Sequence, residues 1–537
     1  MKILNYLFVA GIALLTCCAC SDKNDLPEPP AGSEGADYLF MFYGIGGTNV
    51  DDGLISNLFM ALDAGCDDKV KMTFQMKMSS KFQEKHSCFS GTHRLTGEDN
   101  THLKGNFKSL SYGYPKIVDS QMDDLLGQLK EEKIGGADYD MTCADSLTAF
   151  IKWSKAKYPT AKRTILVLAG HGHGWNLKED GVKDKDVTRG ILTDNNTTSF
   201  MSLNDVVTGI KNAGNVDLLY VDACMMSMYE TLYGYAECAK YCLASYELTP
   251  AAGGNYTEFI NLLKEAGTTD EGLVKAMQQH CDYSVGGEWW ITGICSDLGL
   301  YDLSKIGNLS KVMKEVVDAL VNDDTNAKYI NQAFLNCEVV DAMVVIPSIL
   351  ISDAVSEQMK KDQIDLNISQ QVLHWVGKFL QSKDAAYYKE LYPDVDFLIV
   401  EIAKLSEFSF SFTDLLRNLD NALTEAGVTD NPYTALRQKF LAALKDMAYI
   451  KCTTPSPVSG IDPAYELCSP GIMMVPMTLK LYEEVIYNEF LNKAYVEDAL
   501  KFYQSTAFDK QVEWSRMLKK IEVAPSLLVN PIREEVK

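Results

Sequence analysis

Between residue 37 and about residue 305, short apolar runs alternate with longer segments in which apolar residues recur at helical spacing. The apolar runs are nearly continuous, which is typical of strands that are buried on both faces of a parallel sheet. Repeated strand–helix–strand units of this kind indicate an α/β fold with a mostly parallel central sheet between layers of helices. The predicted strands span residues 37–47, 70–78, 162–170, 216–224 and 241–249.

Two of the segments between these strands are predicted to be helices, and one is predicted to be irregular. Ser202 and Asp205 form a predicted capping box, and Gly214 ends the amphipathic pattern that follows them. Another helix is predicted to begin with Asp145 as its N-cap. The stretch 79–128 has no clear periodicity, so it is predicted to be irregular.

Beyond about residue 305 the pattern becomes mainly helical. Together with the N-terminal composition, this change predicts four regions. They are a signal peptide over 1–19, a Pro-rich linker over 20–36, the α/β domain over 37–305, and a mainly helical domain over 306–537.

The first residues predict an exported protein. A positively charged start precedes an apolar run over 3–15, which is too short to span a bilayer comfortably. A bacterial lipoprotein needs a small residue before its acylated cysteine, and Ala19–Cys20 fits this requirement better than Thr16–Cys17. The following SDKND resembles the acidic tag of Bacteroidetes lipoproteins that reach the outer face of the outer membrane. We therefore expect lipidation at Cys20 and a cell-surface location, with an ordinary secretory peptide as the alternative.

Charge and cysteine content narrow the function classes. The formal net charge is −23, from 50 basic and 73 acidic side chains, and such a surface repels nucleic acid and anionic lipid. We therefore expect no nucleic-acid partner. The cysteines beyond residue 20 are scattered and none forms a CxxC pair, so their spacing does not predict a metal site.

Two of the predicted strands end at residues that can carry chemistry. The strand 162–170 is followed by His171 and Gly172, and the strand 216–224 ends at Cys224. Functional groups of parallel α/β sheets gather outside the carboxyl ends of the strands, so these residues are expected on one rim. A helical pattern follows Cys224 at once, and a helix N-terminus would lower the pKa of its thiol.

This arrangement predicts nucleophilic catalysis. His171 can take the proton of the Cys224 thiol and later donate it to a leaving amine. The backbone N–H groups of Gly172 and Cys224 can bind an oxyanion, because turns and helix starts leave such donors unpaired. A zinc site at His171 and His173 is the weaker hypothesis, since no Cys/His cluster lies nearby. For Cys224 the ordinary alternative is a buried core thiol.

The blocks around these residues resemble the clostripain family of cysteine peptidases, in the clan of caspases, gingipains and legumain. The resemblance rests on TILVLAGHGHGW around His171 and on LLYVDACMMSMYE around Cys224. ASYELTPAAGGNY and PGIMMVP resemble the family more loosely. The resemblance implies a caspase-like fold for residues 37–305 and a cysteine endopeptidase with His171 and Cys224 as the catalytic pair.

The resemblance also implies how substrates are selected. In this family an aspartate two positions before the nucleophile pairs with a basic P1 side chain, which assigns Asp222 to substrate binding. A second acidic residue is usual where this chain has Asn255, so Asn255 is assigned to the same pocket as a hydrogen-bond acceptor. The family also cleaves its own loop after the histidine, and the lysine-containing loop 178–186 matches that position. A simply solvated charged loop is the alternative.

We therefore expect a cysteine endopeptidase that cleaves peptide or protein substrates after Arg or Lys. A degenerate peptidase that binds peptides at the cell surface is the alternative, and a polysaccharide-uptake lipoprotein is a third hypothesis with less support. No cofactor is expected to be required. Calcium binding stays open, because acidic loops occur without EF-hand spacing. The protein is expected to be a monomer held at the outer membrane by its N-terminal lipid.

Overall fold

One mixed sheet with helices on both faces forms the centre of the molecule. The description is based on a computed structural model. It covers residues 35–46, 50–105, 119–172, 174–175, 191–194, 199–246, 249, 253–286, 297–335, 337, 339–340, 409–452, 470–473 and 501–520.

The strands in chain order are β1 (Tyr38–Ile45), β2 (Val70–Lys77), β3 (Thr92–Thr96), β4 (Glu132–Gly135), β5 (Arg163–Ala169), β6 (Ile191–Asp194), β7 (Ser199–Met201), β8 (Val216–Asp222), β9 (Ala239–Ala244), β10 (Asp297–Asp302), β11 (Val339–Val340), β12 (Ser409–Ser411), β13 (Ala448–Cys452) and β14 (Gly471–Met473).

The helices are α1 (Asp51–Ala64), α2 (Ser80–Lys85), α3 (Asp119–Leu126), α4 (Ala144–Lys157), α5 (Leu203–Asn212), α6 (Tyr229–Tyr235), α7 (Tyr256–Ala266), α8 (Asp270–Gly286), α9 (Ile306–Asn322), α10 (Ala327–Leu335), α11 (Phe412–Glu425), α12 (Pro432–Met447), α13 (Ala507–Val512) and α14 (Trp514–Lys520).

Nine of the described strands pair into one sheet, in the order β13-β10-β9-β8-β5-β1-β2-β3-β4. The five central strands, from β9 to β2, are parallel. Antiparallel pairs extend the sheet at both edges. The mostly parallel central sheet and the mainly helical C-terminal region that the sequence predicts are confirmed. Because β13 belongs to this sheet, the sheet uses residues on both sides of residue 305, and the domain boundary there stays a prediction.

Alternate residues of the central strands supply two hydrophobic cores. In β1, Phe40 and Phe42 pack on the face that is covered by α1, α7 and α8. Leu39 and Met41 pack on the opposite face, which is covered by α4, α5, α9 and helices of the C-terminal region. Burial of each such side chain stabilises the fold by about 1.5–3 kcal/mol. The period of two in a strand therefore fixes which side chains face each helical layer.

Two local predictions are wrong and one is confirmed. Helix α4 begins at Ala144 with Cys143 as its N-cap, so Asp145 is not the N-cap. It lies in the first turn, where its negative charge interacts favourably with the helix dipole. The stretch 79–128 is not irregular throughout, because it contains α2, β3 and part of α3. The capping box of Ser202 and Asp205 at the start of α5 is present.

Candidate active site

The carboxyl ends of β5 and β8 lie side by side. In their parallel register Ala169 is paired with Asp222, and the N–H of Gly170 donates a hydrogen bond to the carbonyl oxygen of Asp222 at 3.3 Å. His171 follows one strand and Cys224 follows the other. Both candidate residues therefore leave the sheet at the same rim.

Gly172 brings the two chain segments into direct backbone contact. A Cβ atom at this position would lie 2.4 Å from the carbonyl oxygen of Cys224 and 3.0 Å from its backbone nitrogen. Both atoms belong to the main chain and cannot move aside, so a side chain does not fit here. Glycine is thus needed for the close approach of the His171 and Cys224 segments.

The His171 segment is also held from the side of β6. The N–H of Leu192 donates to the carbonyl oxygen of His171 at 2.8 Å, and Gly172 forms an isolated bridge with Ile191. Burial lowers the pKa of the His171 imidazole. The neutral ring, which can accept a proton, is therefore favoured at neutral pH.

Cys224 does not lie at a helix N-terminus. The chain turns after β8, Met225 adopts a left-handed φ of 58°, and α6 begins only at Tyr229. The predicted stabilisation of the thiolate by a helix dipole is therefore wrong, since that effect is confined to the first turn of a helix. Burial raises the pKa of the Cys224 thiol, and the nearby charge of Asp222 adds to the increase.

Thr249 contacts the sulfur atom of Cys224. Its backbone N–H points to Sγ at 3.3 Å, its hydroxyl oxygen lies 3.5 Å from Sγ, and its carbonyl oxygen lies 3.7 Å from Sγ. The hydrogen bonds from this residue lower the pKa of the Cys224 thiol, against the larger effect of burial. The sequence does not indicate a role for Thr249, because the apolar run 241–249 predicts one continuous strand, whereas β9 ends at Ala244.

The carboxylate of Asp222, two residues before Cys224, is buried. Its Oδ2 accepts hydrogen bonds from the hydroxyl of Tyr256 at 2.5 Å and from the N–H of Gly254 at 3.3 Å. Burial raises the pKa of Asp222, whereas these hydrogen bonds and nearby His280 act in the opposite direction. Gly253 has a φ of 61°, and a Cβ there would lie 2.3 Å from the same Oδ2. The carboxylate is thus enclosed by the chain that precedes α7.

Asn255 caps a helix in this structure. Its Oδ1 accepts a hydrogen bond from the N–H of Glu258 at 3.1 Å, and its Nδ2 lies 3.4 Å from the hydroxyl of Tyr283. Asn255 follows Gly254, whose N–H donates to Asp222, but the amide oxygen of Asn255 is used for capping. Its contact with a substrate stays a prediction.

Several predicted residues lie outside the described part of the chain. These are Cys20, His173 and the loop 178–186. Within the described ranges, no group of three His, Cys, Asp or Glu side chains is arranged to hold a metal ion. Among the helices described, none is both long and apolar enough for a membrane span.

A histidine and a cysteine that follow adjacent parallel strands are the residue types that a cysteine peptidase needs as base and nucleophile. The chain belongs to the clostripain family. The model of that family, Peptidase C11, matches residues 118–434, which is more than half of the chain and includes both His171 and Cys224. The resemblance noted in the sequence is thereby confirmed.

Solved structures of C11 proteases are similar to this chain at low sequence identity. A secreted C11 cysteine protease from Bacteroides thetaiotaomicron, iotapain, is 15% identical, with a TM-score of 0.47 over 89% of this chain and 99% of that one. An inactive zymogen C11 protease from Parabacteroides distasonis is 13% identical, with a TM-score of 0.45 over 90% of this chain and 99% of that one. No curated protein matches the sequence.

Proposed function

We propose that this cysteine peptidase is an endopeptidase in which Cys224 is the nucleophile and His171 is the general acid and base. The observation that carries the proposal is the backbone contact between Gly172 and Cys224 at the ends of two adjacent parallel strands. It supports a site in which the thiol, the imidazole and two backbone N–H groups serve one scissile peptide bond.

The proposed reaction has two halves. His171 takes the thiol proton, and the thiolate of Cys224 attacks the carbonyl carbon of the peptide bond. The N–H groups of Gly172 and Cys224 bind the oxyanion, and His171 returns the proton to the leaving amine as the C–N bond breaks. In the second half, His171 deprotonates a water molecule, whose oxygen attacks the carbonyl carbon of the acyl-enzyme. The C–S bond then breaks, the carboxyl product leaves, and His171 returns the proton to the sulfur of Cys224. These steps use only protein groups and water.

A peptidyl acyloxymethylketone tests the proposal directly. This electrophile is expected to form one thioether, at Sγ of Cys224, which is identified by mass spectrometry of the peptide that contains this residue. Labelling should disappear in His171→Ala, because the thiolate is then no longer generated efficiently. A protein that binds the peptide but leaves Cys224 unmodified would be the degenerate, peptide-binding form, and the endopeptidase proposal would be wrong.

We further propose that Asp222 selects Arg or Lys at P1. Asp222 is buried and accepts hydrogen bonds from the uncharged groups of Tyr256 and Gly254, so a basic P1 side chain would supply a counter-charge to it. Replacement of Asp222 by Asn is expected to lower the ratio of kcat/KM for Arg over Ala substrates about 10- to 100-fold, since a hydrogen bond to a charged group is lost. The ratio cancels any effect on the nucleophile itself.

Tyr256→Phe provides the matched control for Asp222→Asn. It removes the hydroxyl that donates to Asp222 but retains the carboxylate. Selectivity for Arg over Ala should therefore remain in Tyr256→Phe. Equal selectivity in the wild type and in Asp222→Asn, measured with fluorogenic peptides varied at P1, would exclude Asp222 as the selecting group.

We also propose that the enzyme is a surface-exposed outer-membrane lipoprotein acylated at Cys20. The proposal is supported by the Ala19–Cys20 pair and the acidic residues that follow it. Metabolic labelling with an alkyne fatty acid should tag the wild-type protein but not Cys20→Ala. An unlabelled wild-type protein in the culture medium would indicate a secretory peptide without a lipid.

A further inference from the structure

Thr249 lies on a chain segment that is attached to the sheet on both sides. Before it, the N–H of Tyr246 donates to Oδ2 of Asp297 at 2.9 Å, and the N–H of Ser227 donates to the carbonyl oxygen of Ser245 at 2.8 Å. After it, Gly254 donates to Asp222. Attached residues thus lie on either side of Thr249 in the chain, and Thr249 itself contacts Sγ of Cys224.

The thiol of Cys224 is in an environment that disfavours its ionised form. It packs against the buried side chains of Met225 and Tyr246, and the carboxylate of Asp222 is close enough to repel a thiolate. Apolar burial and a nearby negative charge both favour the neutral thiol. Because α6 begins only at Tyr229, its dipole does not offset these effects. A thiolate at this position needs another source of stabilisation.

Thr249 is the residue whose contacts can supply that stabilisation. Its backbone N–H already points to Sγ, and its hydroxyl can turn from acceptor to donor when the sulfur loses its proton. In the neutral state the S–H group can instead donate to the carbonyl or hydroxyl oxygen of Thr249. The same residue can thus hydrogen-bond to both protonation states of Cys224. Hydrogen bonds to an ionised group are about twice as strong as neutral ones, so the thiolate gains more.

We propose that Thr249 is a positioning residue which orients Sγ of Cys224 and stabilises it as the thiolate. This inference rests on the proposed function of Cys224 as the nucleophile. In the activation step, the S–H bond breaks and its proton goes to the imidazole of His171. The hydroxyl of Thr249 then rotates to donate to the thiolate, and no other bond changes.

The test is the pH dependence of Cys224 alkylation. Thr249→Val and Thr249→Ala remove the hydroxyl and leave the backbone N–H in place. In both variants the midpoint of the iodoacetamide rate profile should move to higher pH by about one unit, so that the rate at neutral pH falls about tenfold. Thr249→Ser should retain the wild-type midpoint. The rate is followed by mass spectrometry on the peptide that contains Cys224, because the chain has other cysteines.

Thr257→Val is the matched control. The Thr257 hydroxyl donates to the carbonyl oxygen of Met60 at 2.9 Å, so the same change removes a comparable hydrogen bond away from the sulfur. An unshifted midpoint in both Thr249→Val and Thr249→Ala, with circular dichroism unchanged, would overturn the inference. Equal shifts in Thr249→Val and Thr257→Val would also overturn it. Alkylation does not depend on peptide cleavage, so a shifted midpoint in a protein that cleaves no peptide would refute the proposed function alone.

Discussion

Replacement of Cys224 by Ala is expected to abolish peptide cleavage, with kcat/KM lowered at least about a thousandfold. The thiolate forms the acyl-enzyme, and a methyl group cannot attack a carbonyl carbon. His171→Ala should lower kcat/KM by a similar factor, since the thiol then has no group to accept its proton. The kcat/KM of both variants is measured with a fluorogenic peptide at saturating and limiting concentrations. The mutant proteins should retain the wild-type circular dichroism spectrum.

The double variant Cys224→Ala/His171→Ala makes the test sharper. Residues that act as one catalytic unit show effects that do not add, so the double variant should be no less active than either single variant. Cys88→Ala is the control. Cys88 is an exposed thiol in the segment before β3, and β3 lies near the edge of the sheet, away from β5 and β8. Cleavage that persists in either single variant would show that the two residues do not form the catalytic pair.

The strands and the rim could be predicted from the sequence because they depend on local pattern. Continuous apolar runs identify strands buried on both faces, and parallel strands must expose their carboxyl ends on the same side. His171 and Cys224 follow two such runs, so their common rim did not require knowledge of long-range packing. The capping box of Ser202 and Asp205 was predictable for the same reason, since its partners are three residues apart.

The chain around Cys224 could not be predicted because tertiary contacts determine it. The residues after Cys224 are compatible with a helical period, yet Met225 is left-handed and the helix starts at Tyr229. Their backbone is instead used in contacts with other segments, such as the bridge between Met228 and Gly471. The sequence does not single out Thr249, because the alternation of apolar residues continues past Ala244 and Pro250 also favours an extended residue before it, whereas β9 ends at Ala244.

The largest effect on stability is expected at a buried ion pair next to the His171 segment. Lys77 ends β2, and its ammonium group contacts Asp194 of β6 and donates to the carbonyl oxygen of Tyr139 at 2.6 Å. The Lys77 and Asp194 side chains are 1% and 0% exposed. Through this pair β6 is attached to the main sheet, and β6 in turn donates to the carbonyl oxygen of His171. The pair and the His171 segment are therefore linked through β6.

Lys77→Met should lower the free energy of unfolding by about 3–5 kcal/mol, because it removes the ammonium group that contacts the buried Asp194 carboxylate. Lys211→Met is the matched control. It breaks the ion pair of Lys211 with Glu237, in which both side chains are 47% exposed, and should leave the free energy of unfolding nearly unchanged. Lys77→Met/Asp194→Leu should recover much of the stability, since it replaces both members of the buried ion pair with apolar side chains. The free energies of unfolding of the three variants are measured by urea denaturation. If Lys77→Met is no more destabilising than Lys211→Met, the buried pair does not anchor β6.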